Sequence, residues 1–168
     1  MDFAEEPAGE RRVPPHDVSA EMSTLGGMLM SKDAVGEVME YVKAVDFYLP
    51  KHEIIFTAIV NLFGRAEPTD VVTVTNELTK TGQLQKIGGA NYLHTLINFV
   101  PTAANAGYYA EIVADKAILR KLVESGTRIT QLGYAAEGEP VKLVDEAQAD
   151  IFNIGKGAKS QEAVKIGE

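Results

Sequence analysis

The side chains able to do acid–base or metal chemistry in this chain are few and scattered. Its three histidines, His16, His52 and His94, stand far apart, with no cysteine and no H-x-x-x-H or H-E-x-x-H spacing among them. Two histidines four apart on a helix put both rings on one face, and none of these spacings does that. We read them as structural: His52 caps a helix or faces solvent near its start, and His94 sits beside a core stripe. Neighbouring carboxylates occur at Glu5-Glu6 and Asp145-Glu146. Both pairs lie in polar segments, without the apolar surroundings that would raise a carboxyl pKa for acid–base work. Ser19, Ser31 and Ser125 lack a nucleophile-elbow context. Gly26-Gly27 and Gly88-Gly89 have no Gly-Lys-Ser/Thr after them and no strand before them, so neither is a phosphate loop. No catalytic, cofactor-binding or metal-binding residue is assigned. A small helical enzyme would need polar groups that converge only in the fold.

Composition narrows the partners. The chain has 168 residues, 45% of them apolar, with a formal charge of −8. That suffices for one sizeable domain, or a small domain with an appendage. The net negative field opposes nonspecific nucleic-acid binding, which calls for a basic footprint. Arg120-Lys121 and Arg128 form the one basic spot on the longest helical stretch. They would serve either as a solvated surface, as ion-pair partners for the acidic 137–150 region of a second copy, or as the seed of a single-stranded DNA site. The absence of cysteine excludes disulfides and thiolate metal sites. The opening MDFAEEPAGERR is no signal peptide, and no apolar run reaches the ~18–20 residues that span a membrane. A cytoplasmic protein is expected.

The elements that would have to position any site are helical. Residues 1–15 read as a flexible acidic arm. Val18–Met30 is a helix started by Asp17 or Ser19, with Ala20, Thr24 and Gly27 as a small face and Leu25, Met28 and Leu29 as an apolar one. Gly26-Gly27 marks a close passage of two backbones. Ser31 or Asp33 starts a helix through Val42, with Ala34, Val35, Val38, Met39 and Val42 inward. Phe47 and Tyr48 anchor a short extended link. Lys51–Phe63 carries a thick apolar face and is closed by Gly64. Val71–Thr75 has strand propensity, but a lone strand has no partner, and Val71, Val74 and Leu78 have helical spacing behind a cap at Asp70 or Thr73. Ala90–Val100 is a further helix. These make a globular head over 16–103.

From Asn105 the pattern changes. Tyr108, Ile112, Leu119, Leu122, Ile129 and Leu132 recur at steps of three, four and seven, describing a helix of about 30 residues and about 45 Å. Gly126 and Gly133 permit close approach of another helix or mark a bend. Glu137–Pro140 is a turn. Val141, Val144, Ala147, Ile151 and Ile154 give a shorter returning helix, so 104–154 forms an antiparallel hairpin. Residues 155–168 read as a linker. The fold class is all-α: about six short helices followed by a protruding hairpin. Two helices cannot bury both apolar stripes between themselves. Either the head or another copy of the chain must cover the rest, and we read it as a self-association surface.

Five segments, in order, carry a family resemblance: PPHDVSAEMSTLGGMLM at 14–30, DFYLPKHEIIFTAI at 46–59, PTDVVTVTNELTKTGQL at 68–84, IGGANYLHTLINFVPTAAN at 87–105 and YYAEIVADKAILRKL at 108–122. Together they resemble the N-terminal domain of the hexameric DnaB-type bacterial replicative DNA helicases. The resemblance implies an all-helical head and a hairpin that pairs with a neighbour's hairpin, building dimers into a threefold collar. It implies Ile112, Leu119, Leu122, Ile129, Val144 and Ile151 as interface residues. It implies primase and, in some systems, a helicase loader as partners, with no strong DNA binding by this part. The family's RecA-like motor, which unwinds DNA 5′ to 3′ with ATP and Mg²⁺, follows the linker. Its G-x-x-x-x-G-K-S/T loop is absent here, so ATPase activity is not expected of this chain.

Overall fold

In the computed structural model, which describes residues 12–166, Asp17 starts the first helix. Its carboxylate accepts from Ala20 N–H at 2.9 Å. This helix, α1 (Val18–Met30), is buried along nearly its whole length. Ser31 caps α2 (Lys32–Met39) and Asp70 caps α4 (Val71–Lys80) by the same device, accepting from Ala34 and Thr73 N–H. Each such cap satisfies one of the N–H groups a helix start leaves over. Between them α3 (Pro50–Gly64) opens on a proline, whose missing N–H costs nothing at a first turn. α5 (Ala90–Phe99), α6 (Ala106–Ala135) and α7 (Pro140–Ile166) complete the described chain, with 3-10 turns at Ala44–Asp46 and Gln85–Ile87. No strand occurs among the described residues. The Val71–Thr75 segment is helical as expected, because its cap and its i, i+3, i+7 apolar set outweigh β-branched propensity.

α1 is the axis of the head. It packs on α2, α3, α5 and α6. The core runs through Leu25 and Met28 of α1, Ile55, Ile59 and Leu62 of α3, Val74 and Leu78 of α4, and Leu93 and Leu96 of α5. The close passage at Gly26-Gly27 is made on two sides. A Cβ on Gly26 would strike the Leu96 carbonyl oxygen, and one on Gly27 would lie 2.9 Å from the Ala106 Cβ.

α6 answers that approach with small residues. Ala106, Gly107, Ala110, Val113, Ala114 and Ala117 are the ones buried against the head. The expected seam was the larger set led by Tyr108, but Tyr108 is two-thirds exposed. Backbones this close leave no room for large side chains, so the small stripe takes the core and the large one is left outside. Beyond Ala117 the helix projects from the head as an arm. It continues through Gly126 and Gly133 with nothing of the chain within 4 Å of either added Cβ. It ends at Ala136, whose φ of 50° is left-handed.

Three further expectations change. α2 stops at Met39, which is exposed, although Val42 beyond it is buried. α7 does not stop at Ile154 but runs to Ile166. Glycine in a helix costs roughly 1 kcal/mol against alanine, and Gly155 and Gly157, without a proline, do not break it. The expected arm at 1–15 lies mostly outside the described residues, but Pro15 and His16 are half-buried against the head.

Gly26→Ala is expected to destabilise the domain by about 1–3 kcal/mol through overpacking on the Leu96 carbonyl. Gly36→Ala, in α2 with only the Phe63 ring at 3.8 Å, is expected to be neutral or to stabilise by up to about 1 kcal/mol. Urea unfolding of the two variants beside the parent measures both.

Candidate interaction surface

The hairpin has an inner seam and an outer face. Along the seam Ile118, Ile129 and Leu132 of α6 and Leu143, Ala147 and Ile154 of α7 are half-buried. A polar lock sits among them. Arg128 grips the Asp150 carboxylate with Nε at 2.9 Å and Nη2 at 2.8 Å, while Nη2 also reaches Ser125 Oγ at 3.0 Å. Ser125 is buried. The guanidinium hydrogen bond holds Asp150 below the usual carboxylate range. A two-pronged pair of this kind fixes register more than it adds stability at an exposed site.

The outer face is apolar and uncovered. Leu119, Leu122, Val144 and Ile151 are between 43% and 55% exposed, as is Val123, and Val141 and Phe152 beside them are more open still. Leu119, Leu122 and Val123 follow i, i+3, i+4 spacing, as Val141 and Val144 do on the returning helix. Of the other two interface candidates, Ile112 packs against the head core and Ile129 lies half-buried in the hairpin seam.

The basic spot is engaged within the chain. Arg120 donates to the backbone carbonyls of Pro15 and Asp46. Lys121 lies 3.9 Å from the Asp46 carboxylate. Arg128 holds Asp150. The acidic region that pairs with Arg128 is thus that of its own hairpin.

The histidines separate in the structure. His94 is exposed and His16 is half-buried. His52 neither caps a helix through its ring nor faces solvent. It is fully buried, with Nδ1 2.8 Å from Glu21 Oε1 and Nε2 on the Tyr92 hydroxyl. Glu21, also buried, accepts in addition from the N–H groups of Tyr48 at 2.8 Å and Leu49 at 3.3 Å, just ahead of α3. An ionised carboxylate only accepts, so Nδ1 carries a proton and, in the neutral ring, Nε2 accepts from the phenol. Glu21, His52 and Tyr92 thus tie α1, α3 and α5 together. Burial, and then the Glu21 carboxylate, push the Tyr92 phenol up to about 12. The phenol is thus held in its neutral, hydrogen-bond-donating form. Sequence reasoning missed this cluster, although its signal was present. Glu21 stands at i, i+4, i+7 with Leu25 and Met28, and His52 shares a face with Ile55, Ile59 and Leu62. Among the described residues no three of His, Asp and Glu come together as a metal site.

A helical head built on a glycine-notched central helix, carrying a long hairpin with a bare apolar face, defines an all-α head-and-hairpin module. Residues 13–115 match the family described as the DnaB-like helicase N terminal domain. The chain belongs to that family. It is 60% identical over 157 residues to the replicative DNA helicase DnaB of Leifsonia xyli subsp. xyli, covering 94% of this chain and 34% of that protein. The Mycobacterium leprae replicative DNA helicase DnaB is 56% identical, with 92% of this chain and 26% of that protein covered. The fold is similar to the crystal structure of the N-terminal domain of DnaB helicase from Mycobacterium tuberculosis, with a TM-score of 0.82 and 57% identity over 84% of this chain and 99% of that one. The chain spans about a third or less of the length of these two full-length helicases.

Glu21→Ala is expected to cost about 3–5 kcal/mol, because it strands a buried imidazole and two backbone donors; chemical denaturation measures it. Tyr92 gives a pH test. Its folded pKa lies above the ordinary value of 10. The contribution is therefore complete below pH 10 and is lost as pH rises toward about 12, since the unfolded chain releases the proton first. Stability measured across that window should fall more steeply in the parent than in Tyr92→Phe.

Proposed function

We propose that this chain is the subunit-assembly and partner-docking part of a replicative DNA helicase. The observation that carries the reading is the uncovered apolar face at Leu119, Leu122, Val144 and Ile151. A second copy's hairpin covers it, and pairs of subunits build a collar. Family membership supports the reading, as does the acidic balance of −8, which suits protein partners better than a nucleic-acid backbone. In the same reading primase, and in some systems a loader, engages the collar. ATP and Mg²⁺ serve a motor that follows α7 in the full-length protein, which unwinds DNA 5′ to 3′.

Single-stranded DNA binding by the isolated chain is the competing reading. Its basic candidates, Arg120, Lys121 and Arg128, already face carbonyls or carboxylates of the same chain. A salt-sensitive titration with labelled single-stranded DNA separates the two: tight binding by the chain alone favours the DNA reading.

Sedimentation over a concentration series is expected to show dimers or larger species. Leu122→Asp and Val144→Asp should each weaken association by roughly 100-fold or more, since each removes about 1.5–3 kcal/mol of burial twice over in a symmetric pair. Helicity by circular dichroism should remain at the parent level. Unchanged mass in both variants would reject this face as the interface.

A further inference from the structure

We propose that Arg120 is a positioning residue, a clasp between the N-terminal segment, the 44–46 turn and α6 that sets the direction in which the hairpin leaves the head. It stands where the head lets go of α6, three residues beyond Ala117, the last residue the head buries. Its guanidinium donates to two carbonyls distant in sequence: Nη1 to Pro15 at 2.9 Å and Nη2 to Asp46. Its Cζ lies 5.6 Å from the centre of the Tyr48 ring, on which His16 stacks at 4.3 Å. The turn it grips is itself held, because the Asp46 carboxylate accepts from Lys43 N–H at 2.8 Å.

Apolar packing on the head seats α6 as far as Ala117, and the clasp acts just beyond. Next to the clasp, a cavity of about 390 Å³ separates the Met39–Asp46 corner of the head from Ile118 and Lys121 of α6 and from Ile154 and Ala158 of α7. Side chains are not close-packed across that space. Lys121, half-exposed and 3.9 Å from Asp46, is a weak tie. Arginine is suited to the task. Its planar fork keeps two donors in fixed relation, and charged donors form stronger hydrogen bonds than neutral ones. Two carbonyls on separate segments then give the helix two points of reference. The N-terminal segment becomes part of the hairpin's support, and the clasp is independent of whether copies associate.

The test measures the head-to-hairpin distance. The chain has no cysteine, so Lys80→Cys in the head and Gln131→Cys on the arm take spin labels without competition. Labelled protein is diluted into excess unlabelled protein, and the distance distribution is read by pulsed electron resonance. The parent should give one narrow distribution. Arg120→Ala should broaden or shift it, with the urea midpoint of the head unchanged. Arg120→Lys, which reaches only one carbonyl, should fall between. Tyr48→Leu, which keeps both carbonyls, should show a smaller broadening. A parent-like distribution in Arg120→Ala overturns the proposal. Unfolding of the head in that variant, with a parent-like distribution in Arg120→Lys and Tyr48→Leu, overturns it as well, by making Arg120 a fold residue and not a clasp.

Discussion

The contact on which the rest of this structure depends is the close approach of α1 to two other backbones. Gly26 rests on the carbonyl of Leu96 and Gly27 on the methyl of Ala106. Both neighbours come within reach only because neither glycine carries a Cβ. α5 and α6 are thereby held on adjoining sides of one buried helix. The head then closes around that axis, with α3 and α4 completing the core. Since α6 is a continuous helix of 30 residues, the packing that seats its first third also bears on where the remainder points, and the Arg120 contacts steady it where it leaves the head. A constraint on two glycines in the head therefore reaches the tip of the arm.

Polar groups supply what close packing does not. Hydrophobic burial is non-directional; it holds helices together without choosing among nearby arrangements. The Glu21–His52–Tyr92 chain joins three helices through partners that fit in one geometry. The Arg120 contacts and the Arg128–Asp150 lock do the same at the root and along the seam of the hairpin. Such groups gain little net stability against apolar replacements. Leaving one partner unmatched is what costs, so their main effect is to make alternatives expensive.

The surface divides in keeping with this. Exposed large apolar residues on the head stand singly, as at Met30, Met39, Val45, Val72 and Phe99, whereas along the hairpin they recur from Leu119 to Phe152. No helix among the described residues is long and apolar enough to cross a membrane, so the bare hairpin face is not read as a span. Its residues follow helical spacing on two antiparallel helices, the shape a second helical pair would match by ridges into grooves. The basic side chains of this region, Arg120, Lys121 and Arg128, each lie against an acceptor of the same chain, although Lys121 and Arg128 stay half-exposed.

Much of the fold was legible in the sequence. Helix spacing, cap candidates at Asp17 or Ser19, Ser31 or Asp33 and Asp70 or Thr73, and the Glu137–Pro140 turn located the helices, with the first of each pair capping in the structure, and Gly26-Gly27 announced the close passage. These signals are local, set by neighbours three or four residues away. Which stripe of α6 faces the head was not legible, because hydrophobicity alone favours Tyr108 and Leu119 over Ala110 and Ala114. Only the separation of the helices, fixed by glycines some 80 residues earlier, selects the small side chains. The burial of His52 needed Glu21 and Tyr92, 31 and 40 residues away, to become favourable. The continuation of α7 past Gly155 is a balance of about 1 kcal/mol per glycine that composition does not decide. Sequence by itself determined where the helices start and that one face of the arm is apolar. Tertiary structure decided which residues that face contains and which charges remain available, because both depend on distances between segments far apart in the chain.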